Sequence, residues 1–150
     1  MLEERTVTVS GDEEVAASRY PLAPRGIQRA LEFIHANLAV SIHLDDMAGA
    51  ARMSVFHFSR TFRKATGLGP HRYLVETRVE RVKARLRTGR DGLAAIAEET
   101  GFSDQSHMSK VFRRFTGLSP KAYRNDLPVR GCPMQAHFES LQRRQQARDR

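Results

Sequence analysis

A single cysteine, Cys132, stands in 150 residues, and one thiol can close neither an intramolecular disulfide nor a multi-cysteine zinc site. A reducing cytoplasm is the setting this suits. No apolar run approaches the ~18 residues of a membrane span, and Met1-Leu2-Glu3-Glu4-Arg5 lacks the basic-then-apolar order of a secretory leader. A soluble, cytoplasmic protein is expected. Acidic side chains are the minority charge, 17 against 25 Lys and Arg, leaving a formal charge of +8 and a pI of about 10.5. Such a balance favours polyanionic partners through release of their counterions, nucleic acid first and an acidic membrane surface second.

The charge is uneven along the chain. Residues 1–24 hold two basic and five acidic side chains, residues 25–127 hold 18 and 10, and residues 128–150 hold five and two. The middle segment therefore carries the basic field, and an acidic arm ahead of it would be repelled by a phosphate backbone. The length admits one core, or a domain of roughly 100 residues with a tail at either end.

Residues 1–24 read as a flexible acidic arm closed by Pro21 and Pro24, although Thr6-Val7-Thr8-Val9 alternates like a strand. From Arg25, the residues Ile27, Ala30, Leu31, Ile34 and Leu38 recur at helical spacing and predict an amphipathic helix to about Ala39. Leu44, Met47, Ala48 and Ala51 predict a short helix, broken at Arg52-Met53-Ser54. Ser54 reads as the N-cap of the next, whose apolar face is Val55, Phe58, Phe62 and Ala65, and Gly67 ends it. A long helix follows from about Pro70 to Thr88 on the stripe Tyr73, Leu74, Val79, Val82 and Leu86. Leu93, Ile96, Ala97 and Thr100 then make a short helix, Gly101-Phe102-Ser103 a turn, and Met108, Val111, Phe112 and Phe115 a further helix. Gly117 stops that helix, and a last helical turn or two runs from Pro120 to Arg124. Beyond Pro128 the periodicity is weak, Gln142-Arg143-Arg144-Gln145-Gln146 included.

The second half repeats the first. Phe62-Arg63-Lys64-Ala65-Thr66-Gly67-Leu68-Gly69-Pro70 answers Phe112-Arg113-Arg114-Phe115-Thr116-Gly117-Leu118-Ser119-Pro120 at an offset of 50. His57 matches His107, Ser59 matches Ser109 and Tyr73 matches Tyr123. Upstream the offset is 49, because Met47-Ala48 answers Ile96-Ala97, which puts one extra residue near Asp104. Each copy is a short helix, a tight turn and a second helix with one apolar face, the plan in which the second helix enters a major groove. Phe56, Ser59, Arg60 and Arg63 point away from the first apolar stripe, and Gln105, Ser106, Ser109, Lys110 and Arg113 from the second. Arg and Gln can bond base edges bidentately, and an apolar group can touch a thymine methyl. The connecting helix spans roughly 27–28 Å at 1.5 Å per residue, against about 34 Å between successive groove faces on one side of B-DNA. One chain could therefore present two reading heads to an asymmetric site without dimerising.

Over residues 25–127 the sequence closely resembles the AraC/XylS-family DNA-binding domain. The most specific stretches are Ile96-Ala97, Gly101-Phe102-Ser103-Asp104-Gln105-Ser106-His107-Met108-Ser109-Lys110-Val111-Phe112-Arg113-Arg114, and Gly117-Leu118-Ser119-Pro120-Lys121-Ala122-Tyr123-Arg124. The resemblance implies an all-α, homeodomain-like fold with two helix-turn-helix subdomains joined by a linker helix. The first unit would fall at about 44–66, the linker at 70–88 and the second unit at 93–116, with a basic tail over 128–150. It also implies a cytoplasmic, nucleoid-associated transcription regulator, most often an activator, whose partners are double-stranded DNA and RNA polymerase. No cofactor is implied. Carried over by position, the base-reading residues are Phe56, Ser59 and Arg60 in the first recognition helix and Gln105, Ser106, His107 and Lys110 in the second. The candidate phosphate contacts are Ser54, Arg63, Lys64, Arg113, Arg114, Lys121 and Arg124.

Two positions depart from the family pattern. Arg52 stands in the first turn where Gly101 stands in the second, which asks for a strained residue or a different turn. Met108 takes a core position usually aromatic, a substitution that a flexible thioether tolerates. Many members carry a separate effector or dimerisation domain, for which a 24-residue arm leaves no room. The expectation is a single-domain member or a detached DNA-binding half.

Blander readings apply to the remaining features. His57 and His107 have no further ligand at metal-binding spacing, and Asp45-Asp46 and Glu98-Glu99 read as solvated acidic residues early on a helix, where its dipole favours them, better than as paired catalytic carboxylates. The basic run Arg78, Arg81, Lys83, Arg85, Arg87 and Arg90 reads as a solvated helix face. Two rival functions are a protein-interaction module and a DNA-repair enzyme built on this unit. The lone Cys132 and the lack of a nucleophile–base pair argue against the second.

Overall fold

The apolar spacing after Arg25 produces a helix, α1 (Arg25–Ala36), in the computed structural model, which describes residues 19–126. The helix ends three residues before Ala39, because the Asn37 side-chain amide donates to the Phe33 carbonyl at 2.8 Å and closes the last turn from the side. Leu38 is buried nonetheless, on the segment after the helix. The strand-like Thr6–Val9, most of the acidic arm, the basic tail, Cys132 and Gln142–Gln146 lie outside the described residues.

Six more helices follow: α2 (Leu44–Ala51), α3 (Val55–Thr66), α4 (Pro70–Thr88), α5 (Leu93–Glu99), α6 (Gln105–Thr116) and α7 (Pro120–Asn125). No strand occurs among the described residues. Asp45-Asp46 stand early on their helix as expected, but Glu98-Glu99 end theirs, where the dipole does not favour them. The apolar side chains divide into two cores. The first joins Ile27, Leu31 and Ile34 to Met47, Phe58, Phe62, Tyr73 and Leu74. The second joins Val79, Val82 and Leu86 to Ile96, Phe102, Met108, Phe112 and Tyr123. Helix α4 belongs to both, its N-terminal turns in the first lobe and the rest in the second. Since residues three and four apart share a helix face, Tyr73 and Leu74 cannot share a stripe with the whole of Val79–Leu86, and α4 twists its apolar surface from one lobe to the other.

The duplication extends to single contacts. Phe62 meets Tyr73 edge-on at 5.4 Å and 78°, and Phe112 meets Tyr123 at 5.3 Å and 80°. Thr66 Oγ1 donates to the Phe62 carbonyl and Thr116 Oγ1 to that of Phe112, at 2.9 and 2.8 Å, while Gly67 and Gly117 end their helices at φ 79° and 81°. The two central turns also match. Met53 N donates to Ala48 O at 3.0 Å and Phe102 N to Ala97 O at 2.9 Å, with Arg52 at φ 56° and Gly101 at φ 82°. The first turn therefore keeps the geometry of the second and holds an arginine in the left-handed region, which costs an L-residue roughly 1–2 kcal/mol. The extra residue of the second copy moves the helix cap from a serine, Ser54, to an aspartate, Asp104.

Candidate nucleic-acid interface

Helix α3 is anchored by the buried Phe58 and Phe62, so the residues about half a turn away must face outward. Ser54 Oγ accepts from His57 N at 3.3 Å and starts the helix. Phe56 is 72% exposed, a large apolar surface left in water, and the Arg60 guanidinium lies 5.4 Å from its ring centroid. Arg63 and Lys64 are exposed in the last turn, and Ser59 is half-buried.

Helix α6 is pinned in the same way by Met108 and Phe112. Methionine does fill the usually aromatic core position, with no surface left exposed. Asp104 Oδ1 accepts from His107 N at 2.7 Å, and this backbone hydrogen bond, more than any other influence, holds the Asp104 carboxyl below its ordinary range. Ser103 Oγ stands between Asp104 Oδ2, at 3.3 Å, and His107 Nδ1, at 3.1 Å, while the Phe102 ring meets the His107 ring edge-on at 5.5 Å. The imidazole is thus held on two sides. Gln105, Ser106, Lys110, Arg113 and Arg114 are exposed on the same helix.

Helices α3 and α6 border a common cleft of about 700 Å³, to which α3 contributes Ser59 and α6 contributes His107. His43, His71, Arg72, Arg78 and Ser103 line it as well. His71 was missed in the sequence, yet the repeat carries a signal for it. Its counterpart 50 residues on is Lys121, which the family pattern had selected. His43 answers Gly92, the N-cap of the matching helix in the second copy, and a glycine there gave no signal for it.

A family model described as a helix-turn-helix domain matches residues 47–126. An uncharacterised HTH-type transcriptional regulator of Bacillus subtilis, YbfI, is 37% identical over 82 residues, which are 55% of this chain and 30% of that protein. A putative AraC-like transcription regulator of Streptomyces antibioticus is 36% identical over 87 residues, 58% of this chain and 29% of that one. The chain belongs to the AraC/XylS family. RhaS of Pectobacterium carotovorum, named an HTH-type transcriptional activator, is 29% identical over 84 residues, 56% of this chain and 30% of its own length. Among solved structures, the DNA-binding domain of AdpA in complex with a target DNA is similar at 28% identity and a TM-score of 0.65, covering 68% of this chain and 92% of that domain. The chain thus spans about three tenths of the length of the curated relatives it matches and nearly all of an AraC-type DNA-binding domain.

In this AraC/XylS chain the basic run is only partly the solvated face its composition suggested: Arg87 and Arg90 are exposed, but several of its side chains are engaged within the protein. Arg78 donates through Nε to Leu38 O at 3.1 Å and through Nη2 to Val40 O at 2.7 Å, and burial pulls its guanidinium below the usual arginine range. Arg85 bridges Asp91 at 3.0 Å and Glu99 at 2.5 Å. Arg87 donates to the Tyr123 hydroxyl at 2.8 Å, and Lys83 pairs with Glu80 at 2.5 Å. Carbonyls, a hydroxyl and surface carboxylates compete with water for these donors, and a guanidinium with five N–H groups can satisfy two acceptors at once. Arg124, selected with the phosphate set, donates Nη2 to the Asp91 carbonyl at 2.7 Å, so one of its donors is already engaged inside the second lobe. Among the described residues no group of three or more His, Cys, Asp and Glu is placed to hold a metal ion, and no helix is long and apolar enough to cross a membrane.

Proposed function

We propose that this chain is a sequence-specific transcriptional regulator that sets α3 and α6 into adjacent major grooves of double-stranded DNA. The observation that carries the reading is the shared cleft, where Ser59 of one reading helix and His107 of the other face a common space. A stiff 19-residue connector, about 28 Å long at 1.5 Å per residue, joins the two units. On this reading Phe56, Ser59 and Arg60 address one half-site, and Gln105, Ser106, His107 and Lys110 address the other. Ser54, Arg63, Lys64, Arg113, Arg114 and Lys121 hold phosphates, and Arg124 supports α7. One copy suffices, since both heads lie in one chain. Activation is the proposed sign, with RNA polymerase as the protein partner, in keeping with a relative named as an activator.

Selection of bound duplexes from a random pool tests the reading. The expected product is an asymmetric site of two half-motifs about 10–10.5 base pairs apart, centre to centre. Binding should weaken steeply with salt, as counterion release through several phosphates requires. Enrichment of no motif, or salt-insensitive binding of the kind a protein-interaction module gives, overturns it.

A further inference from the structure

A contact between the lobes lies along the shared cleft, which Arg78 and Gly101 line together with Ser59 and His107. The segment after α1, the middle of α4 and the turn before α6 meet at three residues, Leu38, Arg78 and Gly101. The Arg78 guanidinium takes the carbonyls of Leu38 and Val40, 40 and 38 residues back in the first lobe. A methyl group built on Gly101, in the second lobe, would stand 2.0 Å from the Leu38 carbonyl oxygen and 2.7 and 2.8 Å from Arg78 Nε and Nη2. These are distances that no side chain can occupy.

The internal repeat supplies a control for what glycine does here. Arg52 holds the equivalent left-handed position of the first turn and carries a full side chain on an exposed site. A positive φ is therefore not enough to demand glycine at position 101. What differs is the neighbour: Arg52 faces solvent, in a turn that packs on α1 of its own lobe, whereas Gly101 is pressed against a carbonyl of the opposite lobe. That turn leads through Asp104 directly into α6, so a shift at Gly101 is a shift of the second reading helix.

We infer that Arg78 is a positioning residue which clamps the Leu38–Val40 segment against the Gly101 turn and so sets the distance and rotational phase between the two reading helices. The inference rests on the two-groove reading above. One added base pair moves a half-site by about 3.4 Å along the axis and about 35° around it. A chain with clamped lobes accepts one spacing, whereas a hinged one accepts several at lower avidity.

The test uses the full chain and a duplex selected from a random pool, with the spacer between half-motifs lengthened and shortened by one and two base pairs, and each half-motif alone. The wild-type chain should prefer its own spacing by about tenfold or more, and Arg78→Ala should flatten that preference to within about threefold while each half-motif is bound within about twofold of wild type. Arg78→Lys keeps the charge but cannot fork across two carbonyls, so it should behave like Arg78→Ala and not like wild type. Half-motif binding reports that each lobe is folded, and Gly101→Ala should broaden the accepted spacings from the other side of the contact.

Three results overturn the inference. If the variants keep the wild-type preference, the clamp is refuted while two-groove binding stands. If Arg78→Ala weakens every duplex alike, half-motifs included, with rescue by Lys and a salt slope reduced by about one, Arg78 is a phosphate contact. If the wild-type chain is itself indifferent to spacing, two-groove binding fails and the clamp fails with it.

Discussion

The Arg60 guanidinium lies over the Phe56 ring, 5.4 Å from its centroid, four residues apart on the exposed side of α3. Residues at this spacing are neighbours on a helix surface, and a cation over an exposed ring gains roughly 0.5–1 kcal/mol. The contact narrows the conformations open to a long flexible side chain before any partner arrives. An ordered arginine loses less on binding than a free one, so on the proposed reading the exposed phenylalanine would contribute by ordering Arg60 even without touching a base.

Arg60→Ala should weaken binding to the selected duplex by ~1–3 kcal/mol, and Lys110→Ala likewise, if each makes a bidentate base contact. Phe56→Ala should cost less by itself. Combined with Arg60→Ala it should add little, because the two side chains act together. Fluorescence anisotropy on selected and random duplexes separates the cases: equal losses on both would demote the residue to phosphate anchoring.

The matched turns make opposite predictions for stability. Arg52→Gly relieves left-handed strain of ~1–2 kcal/mol but loosens the unfolded chain by ~0.5–1 kcal/mol, so it should be neutral or stabilising by up to about 1.5 kcal/mol. Gly101→Ala adds the strain and an overlap with Leu38 O, and should destabilise by about 2–4 kcal/mol. Urea denaturation measures both, and a destabilising Arg52→Gly would contradict the equivalence of the turns.

The helix caps should respond differently to acid. The Asp104 carboxyl titrates lower in the folded chain than in the unfolded one, chiefly through the His107 N–H. The unfolded state therefore binds more protons in that window, and stability rises with pH across it. The contribution is complete above the ordinary aspartate value of about 3.9 and disappears as pH falls through the lowered folded value. Asp104→Ser installs the cap of the first copy, which does not titrate, and should remove this part of the acid dependence. Unchanged acid unfolding in that variant would assign the dependence elsewhere.

At the alkaline end the sign reverses. Burial, the largest influence, pushes the Tyr73 hydroxyl up to about 12, and its oxygen lies 3.0 Å from His35 Nε2. Its contribution is intact below the unfolded value of about 10 and fades as pH rises from there through about 12. Tyr73→Phe should cost ~0.5–1.5 kcal/mol near neutrality, the net worth of one hydrogen bond, and flatten this alkaline loss. Thermal unfolding between pH 9 and 11 is the measurement, with an unchanged slope in the variant as the contrary result.

The helices, their caps and the duplication were legible in the residue order because each depends on neighbours a turn or less away. Met47-Ala48 against Ile96-Ala97 and the glycines at 67 and 117 all follow from spacing. So did the outward placement of Arg60 and Lys110, since Phe58, Phe62, Met108 and Phe112 leave them nowhere else to point. Helix ends were less legible: Asn37 can continue a helix or close it, and its side chain decided.

The fate of the linker arginines was settled only by folding. A guanidinium is satisfied equally by water, a phosphate, a carboxylate or a carbonyl, and the acceptors that Arg78 found lie about 40 residues away in sequence. Gly101 is the same case in reverse. Its positive φ could be expected from the turn, but the Leu38 oxygen beside it comes from the other lobe, and such proximity exists only once two cores have packed along one shared helix. Local chemistry wrote the two reading units into the chain, and long-range packing alone placed them relative to each other.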